Sequence, residues 1–165
     1  MYKVLADALQ YPTPGTIELL RAGLEQMPAG AVKKAFSEFV ERVQALSLTE
    51  WEELHTRTLD LGPIVAPYVG WQIWGENYKR GEFMAQLNQA LMESDIHPEG
   101  ELPDHLIPIF RYLDANPEPL PELVEVLEPA VRAMRKALHK AEPDNPYSHL
   151  FDAIWQASQN LGVST

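Results

Sequence analysis

Asp104 and His105 are the sharpest chemical pair in this 165-residue chain. A carboxylate beside an imidazole suits general acid–base work, because histidine titrates near neutral pH. Two facts weaken that reading. Sequence neighbours rarely face each other on a helix, and the local sequence offers no nucleophile. The commoner role for such an aspartate is a helix cap. Asp104 precedes an apolar helical pattern that starts at Leu106, and Pro108 supports a helix start there.

Other reaction chemistries find less. The five histidines (His55, His97, His105, His139, His149) include no pair spaced four apart, and there is no HExxH. The absence of cysteine removes disulfides, thiol nucleophiles and thiolate metal ligands together. Gly62, Gly70, Gly75 and Gly81 are isolated, so no glycine-rich phosphate loop is present, and no GxSxG elbow occurs.

Binding is better served than catalysis. Tyr68, Trp71, Trp74 and Tyr78 follow at steps of three, three and four, which on one helix would share a side. Such a stripe is more often core than contact surface, yet Trp and Tyr also anchor apolar peptides. Glu52, Glu53, Asp60 and Glu76 lie in the same part of the chain. An apolar groove with an acidic rim suits a segment that is basic at one end and apolar beyond. The net charge of −11 agrees, and it disfavours nucleic acid and anionic lipid, which require basic patches.

The elements that must position these residues read as helices. Val4, Leu5, Ala8 and Leu9 set a first helix that Pro12, Pro14 and Gly15 end; Thr16 is suited to cap the second, which Met27-Pro28 stops. Val32, Phe36, Phe39, Val40, Val43 and Leu46 form the stripe of a third. Ser47 and Glu50 have capping-box spacing ahead of Trp51. Apolar residues 64–74 carry Pro67 in what reads as a first helical turn, and a further helix follows Gly75-Glu76-Asn77. A long stripe from Leu120 to Leu138 contains Pro129, which predicts a kink or break near Glu128. The last helix presents Leu150, Phe151, Ile154, Trp155 and Leu161, with Gly162 as its stop. No segment alternates with period two. The expectation is a single all-α domain over residues 1–165, a bundle of about eight or nine helices. No signal-peptide core and no window of ~18–20 apolar residues is visible, so a cytoplasmic location without membrane insertion is expected.

Two stretches carry a resemblance. LHTRTLDLGPIVAPYVGWQIWGENYKRGEFMAQL (Leu54–Leu87) and ELPDHLIPIFRYLDA (Glu101–Ala115), with the opening LADALQYPTP (Leu5–Pro14), resemble the NarJ-type assembly chaperones of molybdenum oxidoreductases, the nitrate reductase delta-subunit group related to TorD and DmsD. The Thr-Arg-Thr-Leu-Asp-Leu and Glu-Leu-Pro-Asp-His-Leu runs are its most specific pieces. The resemblance implies an all-helical, non-catalytic protein with no permanently bound cofactor. Such a chaperone binds the apo catalytic subunit of a molybdenum oxidoreductase, often through its N-terminal or twin-arginine-like segment. It holds that client until molybdopterin guanine dinucleotide is inserted.

By the same resemblance, Glu101, Pro103, Asp104 and His105 match the family's acidic–Asp–His motif, tied to partner recognition or loop positioning. Tyr68 and the region of Asp60 match its other recurrent part. With Trp71 and Trp74, these make the expected partner-binding set. The chain departs from the pattern in ending earlier than many members. Monomer and homodimer both remain open. The competing expectations are a permanent helical adaptor subunit of an oxidoreductase complex and a small enzyme using Asp104 and His105.

Overall fold

The computed structural model describes residues 1–161; Gly162, read from the sequence as the stop of the last helix, lies outside them. Among the described residues there are nine α-helices and no strand. They are α1 (Tyr2–Leu9), α2 (Thr16–Gln26), α3 (Ala31–Gln44), α4 (Leu48–His55), α5 (Val69–Trp74), α6 (Tyr78–Glu93), α7 (Leu106–Ala115), α8 (Pro121–Ala141) and α9 (Tyr147–Gln159). A single π-helical turn, Thr56–Asp60, continues α4. The all-helical expectation holds. No helix is long and apolar enough to cross a membrane among these residues.

The core forms where the apolar stripes meet. Helix α9 is central: Tyr147, Leu150, Phe151, Ala153 and Ile154 are fully buried, and it packs on both α3 and α8. Helix α1 packs on α7, with the Tyr2 and Phe110 rings 5.4 Å apart and Leu5, Ala8, Ile109 and Phe110 all buried in the core. Trp51 anchors α4, donating from its indole N–H to the buried Tyr147 hydroxyl at 3.1 Å.

Several local signals act as expected. Ser47 accepts from the Glu50 N–H while the Glu50 carboxylate accepts from the Ser47 N–H, so the capping box is complete. Replacing Ser47 with Ala is expected to cost about 1 kcal/mol. Urea denaturation should register this as a lower midpoint with an unchanged slope.

Other expectations are corrected. Thr16 is the first residue of α2, not its cap; its hydroxyl accepts the Thr13 N–H at 2.8 Å and closes the preceding turn. Pro67 precedes α5 and does not lie in its first turn. Its carbonyl is used instead, accepting the Leu106 N–H at 3.0 Å. Of the kink or break expected near Glu128, the break does not occur: helix α8 continues through Pro129. Leu127, Ala130, Val131 and Met134 are all fully buried around that position, so packing outweighs the one ladder bond the proline cannot make. The aromatic stripe is not one stripe. Tyr68 is extended and precedes α5, and Gly75 ends that helix at φ +61°, a left-handed conformation suited to glycine. Tyr78 therefore starts a separate helix and stands 73% exposed.

Candidate functional site: an acidic cleft braced by a buried ion pair

The π turn is the first unusual element. Leu61 donates its N–H to the Thr56 carbonyl, a bond five residues back, so the chain gains one residue over a regular helical turn. Two bonds hold the extra residue. The Thr58 carbonyl accepts the Val65 N–H, and the buried Thr58 hydroxyl accepts from the Asn145 amide at 3.0 Å. Asp60, which ends the turn, and Leu61, which follows it, are exposed.

The second element is a short backbone bridge. Val69 donates to the Asp104 carbonyl at 2.9 Å, and Leu106 donates to Pro67, joining the approach to α5 with the approach to α7. This pairing sets Tyr68 beside His105, edge to face, with ring centres 5.1 Å apart.

Asp104 is fully buried and does not cap α7, contrary to the sequence expectation. Its carboxylate accepts the Gly70 N–H at 3.0 Å, in the first turn of α5. It also accepts Arg80 in a fork, Nε at 3.0 Å and Nη2 at 3.2 Å. The Arg80 guanidinium lies over the rings of Tyr68 (5.7 Å) and Trp71 (5.8 Å). Asp104 therefore ties α5, α6 and the α7 approach together.

The α7 cap is His105. Its Nδ1 accepts the Ile107 N–H at 3.0 Å, so in this state Nδ1 carries no proton. The ring is 8% exposed. Burial pushes its pKa below the usual 6.5, against the opposing pull of Glu101, Asp104 and Asp60; His55 adds to the lowering. Neighbours in sequence thus serve different partners: Asp104 faces Arg80 and Gly70, and His105 faces Ile107 and Tyr68.

Tyr68 donates its hydroxyl to Glu101 at 2.9 Å. Burial, and then the Glu101 bond, raise its pKa to about 12, so it remains a donor at neutral pH. Glu101 also lies 3.9 Å from His105 Nε2.

Tyr68, Glu101 and His105 face a cleft of about 270 Å³. Leu9, Leu59, Pro63, Pro67 and Ile107 supply its apolar lining. Asp60, Glu99 and Glu101 supply three carboxylates, against one guanidinium from Arg111, which pairs with Glu99 at 3.8 Å. Tyr11, His55, Tyr68 and His105 complete it. Tyr11 also borders a second, shallower depression lined by Glu52, Glu53, Arg57 and the exposed Leu61. There the Tyr11 hydroxyl donates to Glu52 at 2.9 Å.

His55 is a second buried imidazole on this cleft. Its Nε2 bonds the Leu9 carbonyl at 3.0 Å, and its buried Nδ1 has no partner. Burial lowers its pKa as well, outweighing the Leu9 carbonyl bond and the charge of Asp60, which both pull it up.

Of the residues singled out by sequence, Asp60, Tyr68, Glu101 and His105 share this cleft. Asp104 braces it from beneath. Pro103, half-buried, Trp71 and Trp74 do not line it. Trp71 is 39% exposed and stacks under Arg80, while Trp74 is half-buried against Phe83, with ring centres 5.2 Å apart. Sequence reasoning did not single out Tyr11, His55, Leu61, Glu99 or Arg111. Tyr11, next to the Pro12 that ends the first helix, is 48% exposed, a property only the fold reveals.

Compared with known proteins, the chain matches no family model and no curated relative. The resemblance to molybdoenzyme chaperones thus rests on the motifs quoted above.

Proposed function

We propose that the protein is a non-catalytic, cytoplasmic chaperone. On this reading it binds the N-terminal segment of the apo catalytic subunit of a molybdenum oxidoreductase, and releases that client once molybdopterin guanine dinucleotide is inserted. One observation carries the reading: three carboxylates rim an apolar cleft whose lining, apart from Pro98 and Glu99, comes from the stretches that carry the resemblance. A segment with arginines beside apolar residues is its electrostatic and hydrophobic complement. The continuation past Tyr11 adds Glu52, Glu53 and the apolar Leu61, with Arg57 there paired to Glu142.

The pairing of Asp104 with Arg80 and the use of His105 as a cap favour binding over acid–base turnover, since both groups are already engaged. A permanent adaptor subunit would use the same surface. Co-purification separates the two, because a chaperone leaves the mature, cofactor-loaded enzyme.

Calorimetry with the client's N-terminal peptide tests the proposal. Glu101→Lys and Asp60→Lys should each weaken binding about tenfold or more, and added salt should weaken it further. No heat at high micromolar peptide, or variants that bind like the wild type, would refute it.

A further inference from the structure

We infer that His105 is a proton-operated control on the cleft: a cationic ligand side chain and a proton on His105 compete for the same acidic wall. The inference rests on the peptide-binding reading and adds regulation to it. Its foundation is geometric. The imidazole has one nitrogen committed as an acceptor to the Ile107 N–H, at 3.0 Å. The other nitrogen faces the cleft wall, 3.9 Å from Glu101. A proton on Nδ1 meets an N–H already pointed at it. The charged ring must therefore abandon the α7 cap or shift against Tyr68, whose ring lies edge-on to it.

Charges from every packed element bear on this imidazole. Glu101 and Asp104 flank it from its own loop, and Asp60 acts from the π turn. His55 acts from α4 and opposes protonation. The Arg80 guanidinium balances Asp104 beneath, and Arg111 balances Glu99 across the cleft. What remains for a ligand is a wall that is net negative while the histidines are neutral. Protonating His105 and then His55 gives three cations against the three cleft carboxylates, and the wall is neutral. A bound guanidinium has the converse effect, holding the proton off His105 by the same coupling free energy. Burial sets the resting state, keeping the imidazole neutral at pH 7.

The experiment uses the full chain and a synthetic peptide carrying two arginines followed by apolar residues, in calorimetric titrations from pH 7.5 to 5.5. Arginine does not titrate there, and ordinary carboxylates titrate below it, so the window isolates the histidines. Wild-type affinity should fall about three- to tenfold across it. Binding near pH 6 should release protons, seen as different heats in two buffers of unlike ionisation enthalpy. His105→Asn keeps an acceptor suited to a helix cap but cannot titrate; its loss of affinity and its proton release should both be clearly smaller than the wild type's, with only the His55 share left. A flat wild-type profile, or a profile in H105N that matches the wild type, overturns the inference. Absence of binding at every pH overturns the peptide reading and this inference with it. Should H105N not fold, the wild-type imidazole resonances decide: peptide must lower the His105 titration midpoint, and an unmoved midpoint overturns the inference.

Discussion

Replacing Asp104 with Ala is expected to destabilise the fold by about 3–5 kcal/mol, the range for breaking one side of a buried ion pair. The carboxylate is fully buried and carries three hydrogen bonds, two from Arg80 and one from the Gly70 N–H. Without it, the guanidinium stays between two aromatic rings with no anion, and the N–H opening α5 has no acceptor. Orphaned groups of this kind incur their full desolvation cost. At roughly 2–4 °C per kcal/mol for a chain of this size, the melting temperature should drop by about 10 °C.

The double variant Asp104→Ala with Arg80→Met separates the pair from its surroundings. It removes both charges, so it should recover part of the loss, which a chemical denaturation cycle measures directly. A loss below about 1 kcal/mol in the single variant would mean that water reaches Arg80 freely, as it does for exposed pairs. The brace would then be a surface feature without consequence for the cleft.

How far the sequence reveals this arrangement depends on the range of each interaction. Helices and the Ser47–Glu50 capping box are set by residues three and four apart, so their spacing is visible directly. The π turn is not visible, because its extra residue is held by Asn145, which lies 87 residues from Thr58. Asp104 had a local reading as a cap, and it loses to Arg80 because a buried bidentate guanidinium outcompetes a surface cap. With Asp104 withdrawn inward, the next residue becomes the cap, and histidine is an uncommon one. The Tyr68–Tyr78 stripe failed for a simpler reason: Gly75 interrupts the helix on which the spacing depended.

The cleft gathers side chains from the end of α1, the end of α4, the π turn, the approach to α5, the turn around Pro98 and Glu99, and α7. Each contributes no more than three residues, too few to leave a local pattern. The acidic surplus of the middle stretch was readable, whereas its focus on one concavity follows only from the Tyr68–His105 bridge. Asp104 and His105 thus divide the labour: the first fixes the wall, and the second presents it.

Gly70 gives the sharpest test of that division. By helix propensity alone, Gly70→Ala in α5 should stabilise by up to about 1 kcal/mol. The opposite sign is expected, with a net loss of about 2–4 kcal/mol, because the site is closed on three sides. An added Cβ would lie 2.7 Å from Asp104 Oδ2, 2.9 Å from Arg80 Cγ and 3.3 Å from Phe83. None of these can retreat cheaply: Oδ2 is pinned by Gly70 and Arg80, and Phe83 is fully buried. The methyl must therefore push Asp104 away from Arg80, carrying the Tyr68–His105 wall with it, so peptide affinity should fall while the protein is still folded. Combining Gly70→Ala with Asp104→Ala distinguishes this from general overpacking. Deleting the carboxylate makes room for the methyl, so the double variant should be less destabilised than the sum of the singles by about 1–2 kcal/mol, within the range for residues in contact. Strict additivity in urea denaturation would show that the glycine and the aspartate act independently, and that close approach at α5 is not what holds the cleft in shape.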